Sequence, residues 1–366
     1  MIDSRNFLNF LIKKKIKYFF GVPDSVLKYF TILLNKNEKI HHIITANEGA
    51  AVGMAVGNYL STKRPACVYM QNSGLTNALN PILSIAHKNV YSVPILLIIG
   101  WRGSPNSNDE PQHLVMGNIT KEILKLSNIK FCELNNKKDL IKLSQLINYS
   151  NKEKRVVACL IKENTLSETE NNKIFEIKTD ITYEIFMSNF MNSIKMNDRV
   201  ISSTGFISRY LFNEKEKLKK NSKFFYMVGG MGHSLSTALG YNINAKKRII
   251  CLDGDGSFLM HLGSLVTAIE NVKKNFIYIL LNNYCHESVG CQPTSIKKID
   301  IKKMLISMGF SNYFIIDNEN KLNKNLKKIL ISSKATFIEV KIKTLSKKNL
   351  PRPNNFSLIK ERFIQE

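Results

Sequence analysis

The sequence predicts an α/β protein of two domains, each a parallel sheet covered by helices on both faces. Three observations lead there. The chain has 366 residues, 44% of them hydrophobic and 22% charged, which is enough apolar material for two cores. Short β-rich apolar runs alternate with helical periodicity, as strands joined by crossover helices do. The alternation runs twice, on either side of the polar stretch 163–173 (ENTLSETENNK).

In the first half, Lys15–Val22, His42–Thr45, Ala66–Met70 and Pro94–Gly100 read as strands, with helical patterns at Asp24–Leu34, Gly49–Leu60 and Leu75–Ala86. Arg155–Ile161 closes that half as another strand. In the second half the strands fall at Phe224–Val228, Arg248–Leu252, Phe276–Leu281, Tyr313–Ile316 and Thr336–Ile342. The helices between them fall at Ser234–Tyr241, Ser257–Val272, Ile301–Met308 and Leu322–Ile331. The expected division is 1–165, a link at 166–175, and 176–366. In open parallel sheets ligands collect at the carboxyl ends of the strands, so the loops that follow strands are where chemistry belongs.

The formal charge of +24 raises the question of nucleic acid. Nine of the 53 basic residues are Arg and the other 44 are Lys, spread along the chain rather than gathered with aromatics on one face. The reading is therefore no nucleic-acid partner; a positive field favours a small anionic substrate instead. The six cysteines form no C-x-x-C pair and lie mostly in apolar runs, as reduced buried thiols do. The start lacks a signal-peptide pattern and the longest apolar run, Val93–Trp101, is too short to span a bilayer. The expectation is a cytoplasmic protein with no membrane partner.

The most informative stretch is 248–283, which reads as strand, glycine turn, helix and strand. A helix of about 16 residues descends about 24 Å, and a strand of about 7 residues climbs back about 23 Å. Asp255 and Asn283 therefore end at one edge of the sheet. Oxygen ligands beside a helix N-terminus suit Mg²⁺ holding a diphosphate. Taken alone, Gly254-Asp255-Gly256 fits a capping aspartate in a turn equally well. A calcium loop fails, because its register puts Cys251 at the first ligand position and Leu262 at the bidentate one.

Gly254-Asp255-Gly256 followed, after 25 residues, by Asn282-Asn283 resembles the thiamine-diphosphate motif. The resemblance implies thiamine diphosphate and Mg²⁺ as cofactors, two domains of the thiamine-diphosphate-binding type, and Asp255, Asn283 and the carbonyl of Cys285 as metal ligands. It implies that Gly254, Gly256 and Ser257 line the diphosphate, and that Gly230, Met231 and His233 of the G-G-M-G-H segment pack under the cofactor, with Met231 bending it. It also implies an activating carboxylate in the first half. Glu48 supplies it, following a strand and opening a helix in 43–51 (IITANEGAA). In isolation Glu48 fits a helix N-terminus and Met231 fits a core.

The loops 21–27 (GVPDSVL), 69–75 (YMQNSGL), 100–103 (GWRG), 109–113 (DEPQH) and 286–290 (HESVG) together resemble the phosphonopyruvate decarboxylase family over nearly the whole chain. The implied reaction is loss of CO₂ from 3-phosphonopyruvate to give phosphonoacetaldehyde, in phosphonate biosynthesis of the 2-aminoethylphosphonate type. Asp24 and His113 are the candidate proton carriers. Ser25 and Arg102 suit anionic oxygens, Gln112 the keto group, and His286 a loop over the substrate. Sulfopyruvate decarboxylation is the neighbouring alternative, and an anion or nucleic-acid binder on the same fold is the alternative from outside enzymology. The family also implies a homodimer or larger homo-oligomer with active sites between subunits. Where relatives have small residues, this chain carries Tyr284, Cys285 and Cys291.

Overall fold

The computed structural model describes residues 1–168, 177–218, 223–344 and 349–365. It divides into one unit of Met1–Lys173 with Val289–Gln292, and a second of Ile174–Ser288 with Pro293–Glu366. The expected link at 166–175 lies mostly outside the described residues, though Leu166 still bridges to Ile2.

The first unit holds strands β1 (Tyr18–Gly21), β2 (His41–Ile44), β3 (Ala66–Gln71), β4 (Ile95–Gly100), β5 (Lys130–Leu134) and β6 (Val156–Ile161). All pair in parallel, in the order β2-β1-β3-β4-β6-β5. Helices α1 (Ser4–Lys13), α2 (Lys28–Lys36), α3 (Glu48–Thr62), α4 (Leu75–Pro81), α5 (Pro111–Leu126) and α6 (Leu140–Glu153) accompany them. Strand β4 shows why the sheet is covered twice: every residue of ILLIIG is buried. Leu96 and Ile98 face a core with Phe19 and Phe30, whereas Ile95, Leu97 and Ile99 face another with Val52 and Leu75.

The second unit holds β7 (Arg199–Ser202), β8 (Lys223–Tyr226), β9 (Ile249–Gly254) and β10 (Phe276–Asn282). Next along the chain come β11 (Cys285–His286) and β12 (Gln292–Pro293), a separate two-stranded ribbon whose Gln292 belongs to the 289–292 stretch of the first unit, and then β13 (Tyr313–Ile316) and β14 (Thr336–Lys341) of the second. Its large sheet runs β13-β14-β10-β9-β7-β8, again parallel. The helices are α7 (Tyr183–Ser193), α8 (Phe206–Leu218), α9 (Ser234–Asn244), α10 (Asp255–Met260), α11 (Ser264–Asn271), α12 (Ile301–Ser307), α13 (Glu319–Leu330) and α14 (Phe356–Ile364). When the strands of each large sheet are numbered from one, both sheets follow the order 2-1-3-4-6-5. In each, strand 1 sends the chain outward to strand 2 and receives strand 3 on its other side, a crevice-forming switch at its carboxyl end.

Several sequence expectations are corrected. The continuous helix Ser257–Val272 is two helices, α10 and α11, interrupted where His261 leaves helical geometry at φ −130. The helix expected over Leu75–Ala86 is regular only to Pro81, since the proline lacks an N–H, and continues as a wider turn over Ile82–Ala86. Strands β5 and β7 escape the sequence pattern because one is polar and partly exposed and the other only four residues long. Cys285 and Cys291 are disulfide-bonded rather than reduced, while Cys67, Cys132, Cys159 and Cys251 are free thiols. Among the described residues no helix is long and apolar enough to cross a membrane.

Candidate active site

In the first unit the loops after β1, β2, β3 and β4 carry the predicted groups. Asp24, just past β1, is buried; its Oδ1 accepts the N–H groups of Val26 and Leu27 at 2.9 and 3.0 Å. Its Oδ2 is buried without a partner. Burial pushes the carboxyl up to about 6, against the lowering effect of those N–H groups and of Arg102. Glu48 opens α3 beneath the Asn47 cap and is buried; Asn77 donates to its Oε2 at 3.0 Å. The carboxylate lies so close over Gly74 that a Cβ there would stand 2.2 Å from Oε1. A side chain at this turn after β3 would have to displace the Glu48 carboxylate.

Arg102 follows β4. Its Nε donates to Asp109 Oδ2 at 2.7 Å, its Nη2 to Asp109 Oδ1 at 2.5 Å, and its Nη1 to Ser25 Oγ at 2.8 Å. His113 Nδ1 lies 2.8 Å from Asp109 Oδ1. Burial alone would raise Asp109, but the Arg102 fork, His113 and the Gly103 N–H hold it well below the usual carboxylate range. Gln112 donates to Glu110 Oε2 at 2.5 Å. Asn72, which sequence reading quoted without a role, ties two loops together: its amide donates to Arg102 O at 2.9 Å and accepts from the Arg102 N–H at 3.1 Å.

In the second unit the corresponding loops carry oxygen donors. Asp255, Gly256 and Ser257 open α10 and are buried. The Gly232 N–H donates to Ser257 Oγ at 3.0 Å, which brings the Gly230–His233 turn against α10. A Cβ on Gly256 would meet the His286 ring at 2.7 Å and the Met231 methyl at 3.1 Å, so these three predicted residues lie together. His233 stands apart from that contact, its ring edge-on to His261 at 4.6 Å. Burial lowers His286 to about 4, keeping it neutral.

Asn283 at the end of β10 donates from Nδ2 to Glu287 Oε2 at 2.7 Å, and its Oδ1 accepts the Cys285 N–H at 3.2 Å. The amide is thereby oriented, with a lone pair of Oδ1 still available. Asp255 Oδ2 accepts from Thr294 Oγ1 at 2.6 Å. Burial raises Asp255 to about 7 despite that bond, and the Glu287 carboxylate adds to the shift. A desolvated carboxylate and an oriented amide oxygen, following the adjacent strands β9 and β10, fit a hard divalent cation, whose charge would reverse the shift. Among the described residues no three His, Cys, Asp or Glu side chains gather as a metal cage. Sequence reasoning missed Thr294, Asn77 and the orienting part of Glu287. Thr294 and Asn77 act across 39 and 29 residues, and no periodicity announces such pairs.

Residues 4–123 match the thiamine pyrophosphate enzyme N-terminal TPP binding domain, and residues 203–340 match the C-terminal TPP binding domain. Two sheets of one topology with these loops define a thiamine pyrophosphate enzyme, and the cofactor of the class is thiamine diphosphate. A phosphonopyruvate decarboxylase of Streptomyces viridochromogenes is 27% identical over 91% of this chain and 86% of its own length. A sulfopyruvate decarboxylase subunit beta of Methanococcus maripaludis is 31% identical over 45% of this chain and 86% of its own. A sulfopyruvate decarboxylase of Methanosarcina acetivorans is 23% identical over 88% and 86%. The chain belongs to this thiamine-dependent decarboxylase family and is a carbon–carbon lyase.

Proposed function

We propose that the chain decarboxylates 3-phosphonopyruvate to phosphonoacetaldehyde and CO₂, using thiamine diphosphate and Mg²⁺, and that it serves phosphonate biosynthesis of the 2-aminoethylphosphonate type. The observation that carries the substrate is the 27% identity to a phosphonopyruvate decarboxylase, sustained over 91% of the chain. When bound, thiamine diphosphate supplies the carbon nucleophile and takes up the electron pair released with CO₂. Asp255, Asn283 and the Cys285 carbonyl would hold Mg²⁺, and the turns at Gly230–His233 and Gly254–Ser257 would receive the diphosphate and the cofactor's underside. Glu48, with Oε2 accepting from Asn77, is the carboxylate that would meet the aminopyrimidine.

Ser25 and Arg102 Nη1 receive anionic oxygens of the substrate. Asp109 fixes the Arg102 fork and keeps His113 oriented as a proton carrier. Gln112 orients the keto group and His286 donates as a neutral imidazole. Asp24, protonated below about 6 and with its Oδ2 unpartnered, would be able to give a proton at the substrate, as would His113. The aminopyrimidine-side groups lie in one unit and the diphosphate-side groups in the other; the family resemblance implies that such groups meet across subunits, and on that ground we assign the working form as a homodimer or larger homo-oligomer.

The test is turnover of phosphonopyruvate and sulfopyruvate side by side, with Mg²⁺ and thiamine diphosphate, the aldehyde and CO₂ being assayed. Preference for phosphonopyruvate is expected. Preference for sulfopyruvate would favour the second reading, which the two sulfopyruvate decarboxylase relatives support. Steeply salt-dependent nucleic-acid binding without cofactor affinity would overturn both.

A further inference from the structure

Tyr284 stands between Asn283 and Cys285, where the resemblance leads one to expect a small side chain. Its backbone is left-handed, at φ +58, a conformation that costs a non-glycine residue about 1–2 kcal/mol. The turn that accepts this cost is held at several points. The Tyr284 N–H donates to Asn282 Oδ1 at 3.2 Å, and the Tyr284 carbonyl accepts the Thr294 N–H at 2.9 Å. Thr294 is the residue whose hydroxyl donates to Asp255. The Tyr284 backbone is thus one residue from Asn283 and one hydrogen-bonded residue from Asp255.

The ring is not turned toward solvent. Lys341, the last residue of β14, donates from Nζ to the Tyr284 hydroxyl at 2.5 Å and lies 4.5 Å from the ring centroid. Lys341 also pairs with Glu339, a buried carboxylate that accepts from Asn282 Nδ2 at 2.8 Å and from the Tyr313 hydroxyl at 2.5 Å. Burial would push Lys341 down, yet Glu339 and the Tyr284 hydroxyl hold it above the usual lysine value, so the ammonium stays charged. Glu339 therefore grips the turn twice, through Asn282 directly and through Lys341 at Tyr284. Both grips come from β14, the neighbour of β10 in the sheet.

We propose that Glu339, Lys341 and Tyr284 form a brace that fixes the divalent-cation turn in its binding shape, making all three positioning residues for Mg²⁺. The inference rests on the reading that Asp255 and Asn283 hold the cation that carries the diphosphate. Mg²⁺ demands near-ideal octahedral geometry, whereas Ca²⁺ accepts looser arrangements. A brace that sets geometry therefore matters more for Mg²⁺ than for Ca²⁺.

The experiment is calorimetric titration of Mg²⁺, and separately of Ca²⁺, into the full chain with thiamine diphosphate, for the wild type, Tyr284→Phe, Lys341→Met and Tyr284→Gly. Loss of outer partners of a metal site typically costs about 10–100-fold in affinity. Tyr284→Phe and Lys341→Met are expected to raise the half-saturating Mg²⁺ by about tenfold, and Ca²⁺ by clearly less. Tyr284→Gly relieves the backbone cost but removes the brace, so it is expected to weaken Mg²⁺ as Tyr284→Phe does. Mg²⁺ affinity within twofold of wild type in both Tyr284→Phe and Lys341→Met overturns the brace. Equal loss for both cations also overturns it, as would follow from general loosening. Wild type that binds thiamine diphosphate without any divalent cation overturns the underlying reading and the brace with it.

Discussion

The two halves share one strand order and differ in what their loops carry. After strands 3 and 4 the second unit places Asp255 and Asn283, oxygen donors suited to holding a cation. After strands 1, 2 and 4 the first unit places Asp24, Glu48 and the Arg102–Asp109–His113 cluster, groups suited to moving protons and receiving anions. The same sheet edge thus serves two purposes. Topology determines where a site forms, and the side chains at each loop determine whether that site anchors or reacts.

That division of labour can be broken by substitution. Glu48→Gln should cut turnover by about 10²–10⁴-fold and leave calorimetric binding of Mg²⁺ and cofactor near wild type. Equal damage to binding would show that the first unit anchors as well. Asp255→Ala should do the converse, weakening cofactor binding by about 100-fold; unchanged binding would remove the anchoring function from the second unit.

Asp24→Asn sharpens the comparison through pH. The folded carboxyl is raised to about 6 from 3.8, so the native state binds more protons than the unfolded chain between those values. Stability is then lost as pH rises through about 6, by about 2–3 kcal/mol, and Asp24→Asn should recover that amount at pH 8 and little at pH 4 in urea unfolding. Wild-type turnover should fall as pH rises through about 6, and the variant should lose that limb along with about 10²-fold in rate. The smallest effect is expected of Gly74→Ala. Its Cβ would collide with the Glu48 carboxylate, costing about 1–3 kcal/mol in thermal unfolding and lowering turnover without weakening cofactor binding.

The fold was legible where the physics is local. Central strands such as β4, buried on both faces, announce themselves as unbroken apolar runs. Edge strand β5 does not, because its exposed face is polar. The α10–α11 interruption was hidden, since the apolar spacing continues across the break at His261. The site followed the same rule. Asp255 and Asn283 are marked by glycines and strands beside them in sequence. Thr294 reaches Asp255 through a turn that its own N–H ties to Tyr284, and Lys341 reaches Tyr284 because β14 lies parallel beside β10.

Neither six-stranded ladder borrows a strand from the opposite half of the chain. Among the described residues, each ladder therefore closes its backbone hydrogen bonds with strands of its own half. Cutting the gene between them, or fusing two genes there, leaves every rung intact, so evolution is free to deliver such a protein as one polypeptide or as a matched pair.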